Sequence, residues 1–385
     1  MENSARRIET AVVHAGSERK VEGAVVLPIF QSSTYLYSGQ SSYEDLKYIR
    51  LSNTPNHEAL GTKLAELEGG ENALVTASGM AAISTALLSL LSAGDHLLIQ
   101  DCTYGGTRDL VSTDFPALGI QVDFIDPAAP DSWQEKLRPE TKAIFVESIS
   151  NPLMQIGDLV SVVDFAARNS LVSMIDNTFA TPVNFRPLEH GFDLVLHSCT
   201  KYLNGHSDIV AGAVVGGEEM VKNVRSRLLR FGGSLDPHAC FLLDRGLKTL
   251  VLRVRQQNES AAQIARFLAE HQHISKVNYP GLPGASVHHE TAGLFSGFGG
   301  MLSFEVVGGV ESARRFLDRL RIVVEAPSLG GVETLATRPA TTSHSGLPAS
   351  EREAIGISES LIRLTVGIEA VEDLLDDLNQ ALGSL

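Results

Sequence analysis

The sequence predicts an α/β protein with a mostly parallel sheet covered by helices on both faces. Two observations carry this. Short β-type runs alternate with helix-length spacers from residue 73 to residue 215, and a second, shorter alternation follows a long helical pattern at 247–271. The 385 residues are 43% hydrophobic and 20% charged, which places them far from disordered compositions. At roughly 150 residues per domain the length suits two or three domains.

The elements follow in order. Residues 1–50 are rich in Ser, Tyr and Gln and carry one apolar stretch, 25–30, interrupted by Pro28, so an extended arm is expected. Residues 60–68 read as a polar helix ending at Gly69-Gly70, 73–77 as the first strand and 81–91 as a long apolar helix. Further strands are expected at 96–100, 121–125, 142–147, 171–175, 192–196 and 209–215. Beyond the helix at 247–271, strands at 276–279, 301–307, 321–325 and 361–366 alternate with helices at 312–320 and 371–382, a smaller α/β unit. The expected division is an arm over 1–50, a large domain over 51–246 and a C-terminal domain over 247–385. No internal repeat or low-complexity tract interrupts it.

A net charge of −15 repels phosphate backbones and anionic lipid, so neither nucleic acid nor a membrane surface is an expected partner. Three cysteines, Cys102, Cys199 and Cys240, lack C-x-x-C spacing and point to a reducing, cytoplasmic location. The first twenty residues lack an apolar signal core, and no apolar run approaches the roughly 18 to 20 residues a membrane span needs. His57-Glu58 begins like H-E-x-x-H, but Gly61 takes the place of the second histidine. His288-His289-Glu290 would splay adjacent imidazoles about 100° apart on a helix, and Gly297-Phe298-Gly299-Gly300 lacks the dinucleotide fingerprint's spacing. No metal site is expected.

The informative segment is His197-Ser198-Cys199-Thr200-Lys201-Tyr202, which places two hydroxyls and a lysine just after the strand at 192–196. Ligands of α/β sheets sit at such strand ends. A lysine there can bond an aldehyde cofactor if its surroundings hold the amine partly unprotonated. Asp176 ends the preceding strand, where a carboxylate can keep a pyridinium nitrogen protonated, although Asp-Asn-Thr also suits a turn cap. Ser78-Gly79-Met80 joins the first strand to its helix, a junction suited to phosphate, although Ser78 equally suits a helix cap. Tyr104 adds an aromatic candidate.

These residues, with Tyr48-Ile49-Arg50, Leu67-Glu68-Gly69-Gly70, Tyr104-Gly105-Gly106-Thr107, Ser150-Asn151-Pro152, Ser328-Leu329-Gly330-Gly331 and Arg363 to Glu369, give the chain its family likeness. It resembles, over nearly its whole length, the Cys/Met-metabolism pyridoxal-phosphate enzymes, which include cystathionine γ-lyases, γ-synthases and β-lyases, methionine γ-lyases and sulfhydrylases. The resemblance implies the aspartate-aminotransferase-like fold, pyridoxal 5'-phosphate as cofactor and a homotetramer of two catalytic dimers. It implies that Lys201 bonds the cofactor and shuttles protons, and that Asp176 pairs with the pyridine nitrogen. Ser78, Gly79, Met80, Ser198 and Thr200 would hold the phosphate, with Tyr48 and Arg50 reaching it from a neighbouring subunit. Tyr104 would stack on the ring and take part in proton transfer. Arg363, with Ser328 and Asn151, would grip the substrate α-carboxylate, a task suited to a bidentate guanidinium.

The activity so implied is γ-elimination from cystathionine, giving cysteine, 2-oxobutanoate and ammonia; γ-replacement by a cystathionine γ-synthase or O-acylhomoserine sulfhydrylase is the alternative. Three departures bear on the substrate. Methionine γ-lyases carry cysteine where Gly106 stands. Pro327 replaces a glutamate often found before the Ser-Leu-Gly motif, with Glu325 two residues back. The family's arginine after Thr107 is Asp109, with Arg108 one residue earlier. A looser distal pocket that accepts shorter substrates is therefore expected.

Overall fold

The computed structural model describes residues 6–18, 20–383 and 385. Seven strands form the larger sheet: β1 (Asn72–Thr76), β2 (His96–Gln100), β3 (Gln121–Ile125), β4 (Thr141–Glu147), β5 (Val172–Asp176), β6 (Leu194–His197) and β7 (Gly212–Gly216). Their order is β1-β7-β6-β5-β4-β2-β3, and only β7 runs antiparallel to its neighbours. Leu97, Ile99, Phe145, Met174, Leu194 and Leu196 face one apolar core, whereas Leu98, Ile144, Val146, Ile175 and Val195 face the other. Period-two alternation thus fills both sides, which is why these strands read as nearly continuous apolar runs.

The smaller sheet contains β8 (Ile274–Asn278), β9 (Met301–Val306), β10 (Val324–Glu325), β11 (Leu335–Thr337) and β12 (Leu361–Thr365), in the order β10-β11-β12-β9-β8. Only β10 and β11 are parallel. Helices Leu250–Glu270, Gly309–Arg319 and Val371–Leu382 cover it through a core that includes Ile264, Leu268, Phe304, Phe316, Leu364 and Leu378.

Several boundaries differ from the sequence expectation. The helix expected at 60–68 is α2 in a chain whose α1 (Ile8–His14) lies within the expected arm; α2 spans Pro55–Glu68, with Pro55 opening its first turn and Gly69 closing it at φ +75°. Lys63 of α2, 1% exposed, donates to the Val12 carbonyl at 3.0 Å and pairs with Asp244 at 2.6 Å, fastening α1 to the body. The first five residues of the arm and residue 19 lie outside the described residues. The helix expected at 247–271 runs Leu250–Glu270, and a separate helix that the sequence reading did not mark, Pro237–Leu247, ends just before it. The Gly246 carbonyl accepts from the Arg253 guanidinium at 2.9 Å and from Thr249, which diverts it from the helical ladder. Among the described residues no helix is long and apolar enough to cross a membrane. His57, the start of the apparent metal motif, has both ring nitrogens occupied, by Thr54 Oγ1 and the Leu235 carbonyl, each at 2.7 Å.

Candidate active site

A cavity of about 660 Å³ opens at the C-terminal ends of β4, β5 and β6 and is closed on its far side by the segment before β11 and by β12. Ser78, Gly79, Met80, Tyr104, Asn151, Asp176, Ser198, Thr200, Lys201, Ser328 and Arg363 all line it. Residues up to 285 positions apart in sequence therefore share one space, because parallel strands deliver every C-terminal loop to one edge.

One wall is the start of α3 (Gly79–Leu90). Ser78 caps it by accepting from the Ala81 amide at 3.0 Å, and the amides of Gly79 and Met80 belong to the first turn, which has no intrahelical acceptors. A Cβ on Gly79 would lie 2.7 Å from Ser198 Cβ, so only glycine lets the helix start meet the lysine loop this closely. Ser198 donates its backbone N–H to Thr178 Oγ1 at 2.8 Å. Thr200 Oγ1 exchanges hydrogen bonds with the backbone of Ala211, donating at 3.2 Å and accepting at 3.0 Å.

Lys201 Nζ donates to Ser328 Oγ at 3.0 Å. Its pKa is pulled down to about 8 by removal from water and, second, by the charge of Arg363. Ser328 holds φ +96°, a strained backbone for a residue with a side chain, and turns its carbonyl toward Arg363 Nη2 at 3.1 Å. Arg363 Nη1 donates to Asn151 Oδ1 at 3.1 Å, so the buried guanidinium is oriented from two sides. Burial lowers its pKa to about 10, and it remains cationic at neutral pH.

Asp176 Oδ1 accepts from the Thr178 amide at 2.9 Å. Desolvation raises its pKa against those hydrogen bonds and the nearby His197. Beside it, in register across β4 and β5, stands Glu147, whose pKa is driven well up by burial first and by the Asp176 charge second. The sequence reading missed Glu147: a glutamate ending a strand carries no local signal, and only strand pairing sets it against Asp176. Phe179, Ile83, Ile149 and Leu329 supply apolar wall, and Thr342 and Ser343 come from a loop after β11.

Tyr104 is 43% exposed at the cavity mouth. A Cβ on Gly106 would lie 2.8 Å from its ring, so a larger side chain at 106 would displace that ring. Arg108 points elsewhere: it donates to the Asp101 carbonyl at 2.6 Å and lies 4.5 Å over the Phe124 ring. Neither Arg108 nor Asp109 lines the cavity, while Pro327 does. Tyr48 and Arg50 stay outside their own chain's cavity; Arg50 donates to the Leu229 carbonyl at 2.8 Å and to Tyr43 Oη at 2.6 Å.

The donor set fits pyridoxal phosphate: an amine of lowered pKa, a strand-end carboxylate, a helix start that only glycine can form and a buried guanidinium face one cavity. Comparison with known proteins agrees with that chemistry. The profile of the Cys/Met metabolism PLP-dependent enzymes matches residues 9–383. A cystathionine β-lyase of Lactococcus lactis subsp. cremoris is 42% identical over 97% of this chain and 98% of its own length. A cystathionine γ-lyase of Bacillus subtilis is 40% identical over 98% of this chain and 99% of its own. The crystal structure of a cystathionine γ-synthase from Xanthomonas oryzae pv. oryzae, in complex with aminoacrylate and cysteine, superposes with a TM-score of 0.94 at 39% identity, covering 99% of this chain and 98% of that one. A match that runs almost end to end in profile, sequence and fold leaves one assignment: the chain belongs to the Cys/Met metabolism PLP-dependent enzymes and is a pyridoxal-phosphate-dependent lyase of sulfur amino-acid metabolism.

Proposed function

We propose that the enzyme cleaves a carbon–sulfur bond of cystathionine at its γ-carbon, releasing cysteine, 2-oxobutanoate and ammonia. The observation that carries the elimination chemistry is the Lys201 amine, half-buried, of lowered pKa, and held by Ser328 Oγ within the cavity. Pyridoxal phosphate, when bound, supplies the electron sink that makes substrate C–H bonds acidic. Lys201 would accept and return those protons, since its flexible stem serves neighbouring carbon atoms in turn. Asp176 would hold a proton at the pyridine nitrogen. Ser78, Gly79, Met80, Ser198 and Thr200 would bind the phosphate, although Thr200 must share its hydroxyl with Ala211. Arg363, pre-oriented by Asn151 and the Ser328 carbonyl, would take the substrate α-carboxylate. Tyr104 would cover the ring from the mouth.

Among the described residues, the charged side chains that line the cavity are Glu147, Asp176, Lys201 and Arg363. No cation of this chain then remains for the distal carboxylate of cystathionine, which supports a tolerant distal end that accepts homocysteine or O-acylhomoserine comparably. Cleavage at the β-carbon is a second reading, supported by the name of the Lactococcus relative. The products separate them. Cystathionine cleaved at the γ-carbon yields 2-oxobutanoate and cysteine, and cleaved at the β-carbon it yields pyruvate and homocysteine. Chromatographic identification of the keto acid decides; pyruvate alone overturns the γ reading, and thioether formation from O-acylhomoserine and a thiol without keto acid favours replacement.

A further inference from the structure

The inference concerns Glu147 and rests on the reading of this cavity as the cofactor and substrate site. Glu147 is 6% exposed at the end of β4, with its carboxylate in the cavity wall. Its Oε1 accepts from the Tyr104 amide at 2.6 Å, and the nearby Asn151 backbone N–H lowers the pKa of the same carboxylate. Its own backbone N–H donates to Gln100 Oε1 at 2.9 Å, and Gln100 Nε2 donates to the Cys102 carbonyl at 3.0 Å. The ends of β2 and β4 thereby clamp residues 101–104 from both sides.

The two amides belong to residues with different expected tasks. Tyr104 stands at the mouth where it would cover the cofactor ring, and Asn151 orients Arg363 through Oδ1. Among the described residues neither amide has an acceptor within a helix or strand. A buried N–H without its acceptor costs enough to move the chain. We infer that Glu147 is a positioning residue, whose carboxylate bridges the Tyr104 and Asn151 amides and so holds the ring-covering tyrosine and the carboxylate-binding arginine in register with Asp176.

Glutamine at this position keeps one acceptor oxygen and turns an NH2 group toward the other amide; alanine removes both acceptors. Glu147→Gln and Glu147→Ala are therefore compared with wild type in three measurements: thermal unfolding, the dissociation constant of pyridoxal phosphate from fluorescence titration of the cofactor-free protein, and KM against kcat for cystathionine. The expected result is folded protein whose cofactor dissociation constant and KM both rise about tenfold or more, KM by more than kcat falls, with glutamine intermediate. Wild-type cofactor affinity and KM in folded variants overturn the inference. So does failure of both variants to fold, which would make Glu147 a folding residue only. If wild-type protein itself binds no pyridoxal phosphate, the reading of the cavity fails instead, and that control is run first.

Discussion

Lys201 has a pKa drawn down to about 8, so a large share of the amine is neutral and nucleophilic at a pH where an ordinary lysine is almost wholly charged. Capture of pyridoxal phosphate by the cofactor-free protein, followed by visible absorbance, should rise with pH to a midpoint of about 8; a rate still climbing near pH 10 would return the lysine to ordinary behaviour. Lys201→Ala should abolish turnover and the absorbance that borohydride removes while thermal unfolding stays cooperative. Arg108 makes a contrasting case. Its guanidinium is spent on the Asp101 carbonyl and the Phe124 face, so Arg108→Ala should lower stability by about 0.5 to 2 kcal/mol and leave the ratio of specificity constants for cystathionine and homocysteine unchanged. A fall in that ratio would place Arg108 at the distal carboxylate after all. At this scale the places of Lys201 and Asp176 at the cavity were legible because each stands at a strand end, and that of Arg363 through the family resemblance. Glu147 was not, since its meaning comes from Asp176 on the neighbouring β5 and from the Tyr104 amide, whose hydrogen bond it accepts.

At the scale of elements, the segment before β10 shows what pattern alone misses. Residues 321–325 read as one strand, yet β10 is only Val324–Glu325. The amides of Arg321, Ile322 and Val323 instead converge on the Asp377 carboxylate at 2.8 to 3.1 Å. An apolar run gives no sign of an acceptor fifty residues away. Burial alone would raise the Asp377 pKa, but these donors and Gln380 outweigh it and hold the group below its ordinary value. A depressed folded pKa means stability that is present above the unfolded value, about 3.9, and is lost as pH falls through the folded one. Asp377→Ala should cost about 1 to 3 kcal/mol in urea unfolding at neutral pH, and the difference from wild type should shrink in strong acid. An equal cost at both extremes would show that the charge contributes nothing. β11, only three residues long, escaped the sequence reading because so short a run carries no period.

Across the whole molecule, apolar groups are left uncovered along the expected arm: Leu36 is 94% exposed, Val25 82% and Tyr37 72%. A surface of this kind fits burial against another subunit, and Tyr48 and Arg50 at its end do not reach their own cavity. If the arm completes a neighbouring subunit's site, mixing Arg50→Ala protein with Lys201→Ala protein should recover part of the activity, because a hybrid dimer would then assemble one site from intact contributions. No recovery after demonstrated subunit exchange would assign Tyr48 and Arg50 a role within their own chain. The larger sheet, its parallel character and its cavity edge were legible in the sequence because they follow from repeated local patterns; a contact of the arm with a neighbouring subunit was implied by the family resemblance alone, because no local pattern of one chain encodes it.

The reversed direction of β7 has a kinetic consequence. Because β7 starts beside the end of β6, residues 198–211 leave and re-enter the sheet at one edge, and Thr200 and Ala211 draw the loop shut at its neck. Arg253 holds its interior by donating to the Tyr202 carbonyl at 2.8 Å. The lysine's main chain is thus tied at both ends, and the amine can travel only by rotation about its own stem. If Lys201 carries protons, the swing of its amine between adjacent atoms would then run at side-chain speed, on the order of nanoseconds rather than the microseconds of loop motion, so that movement itself would not limit turnover.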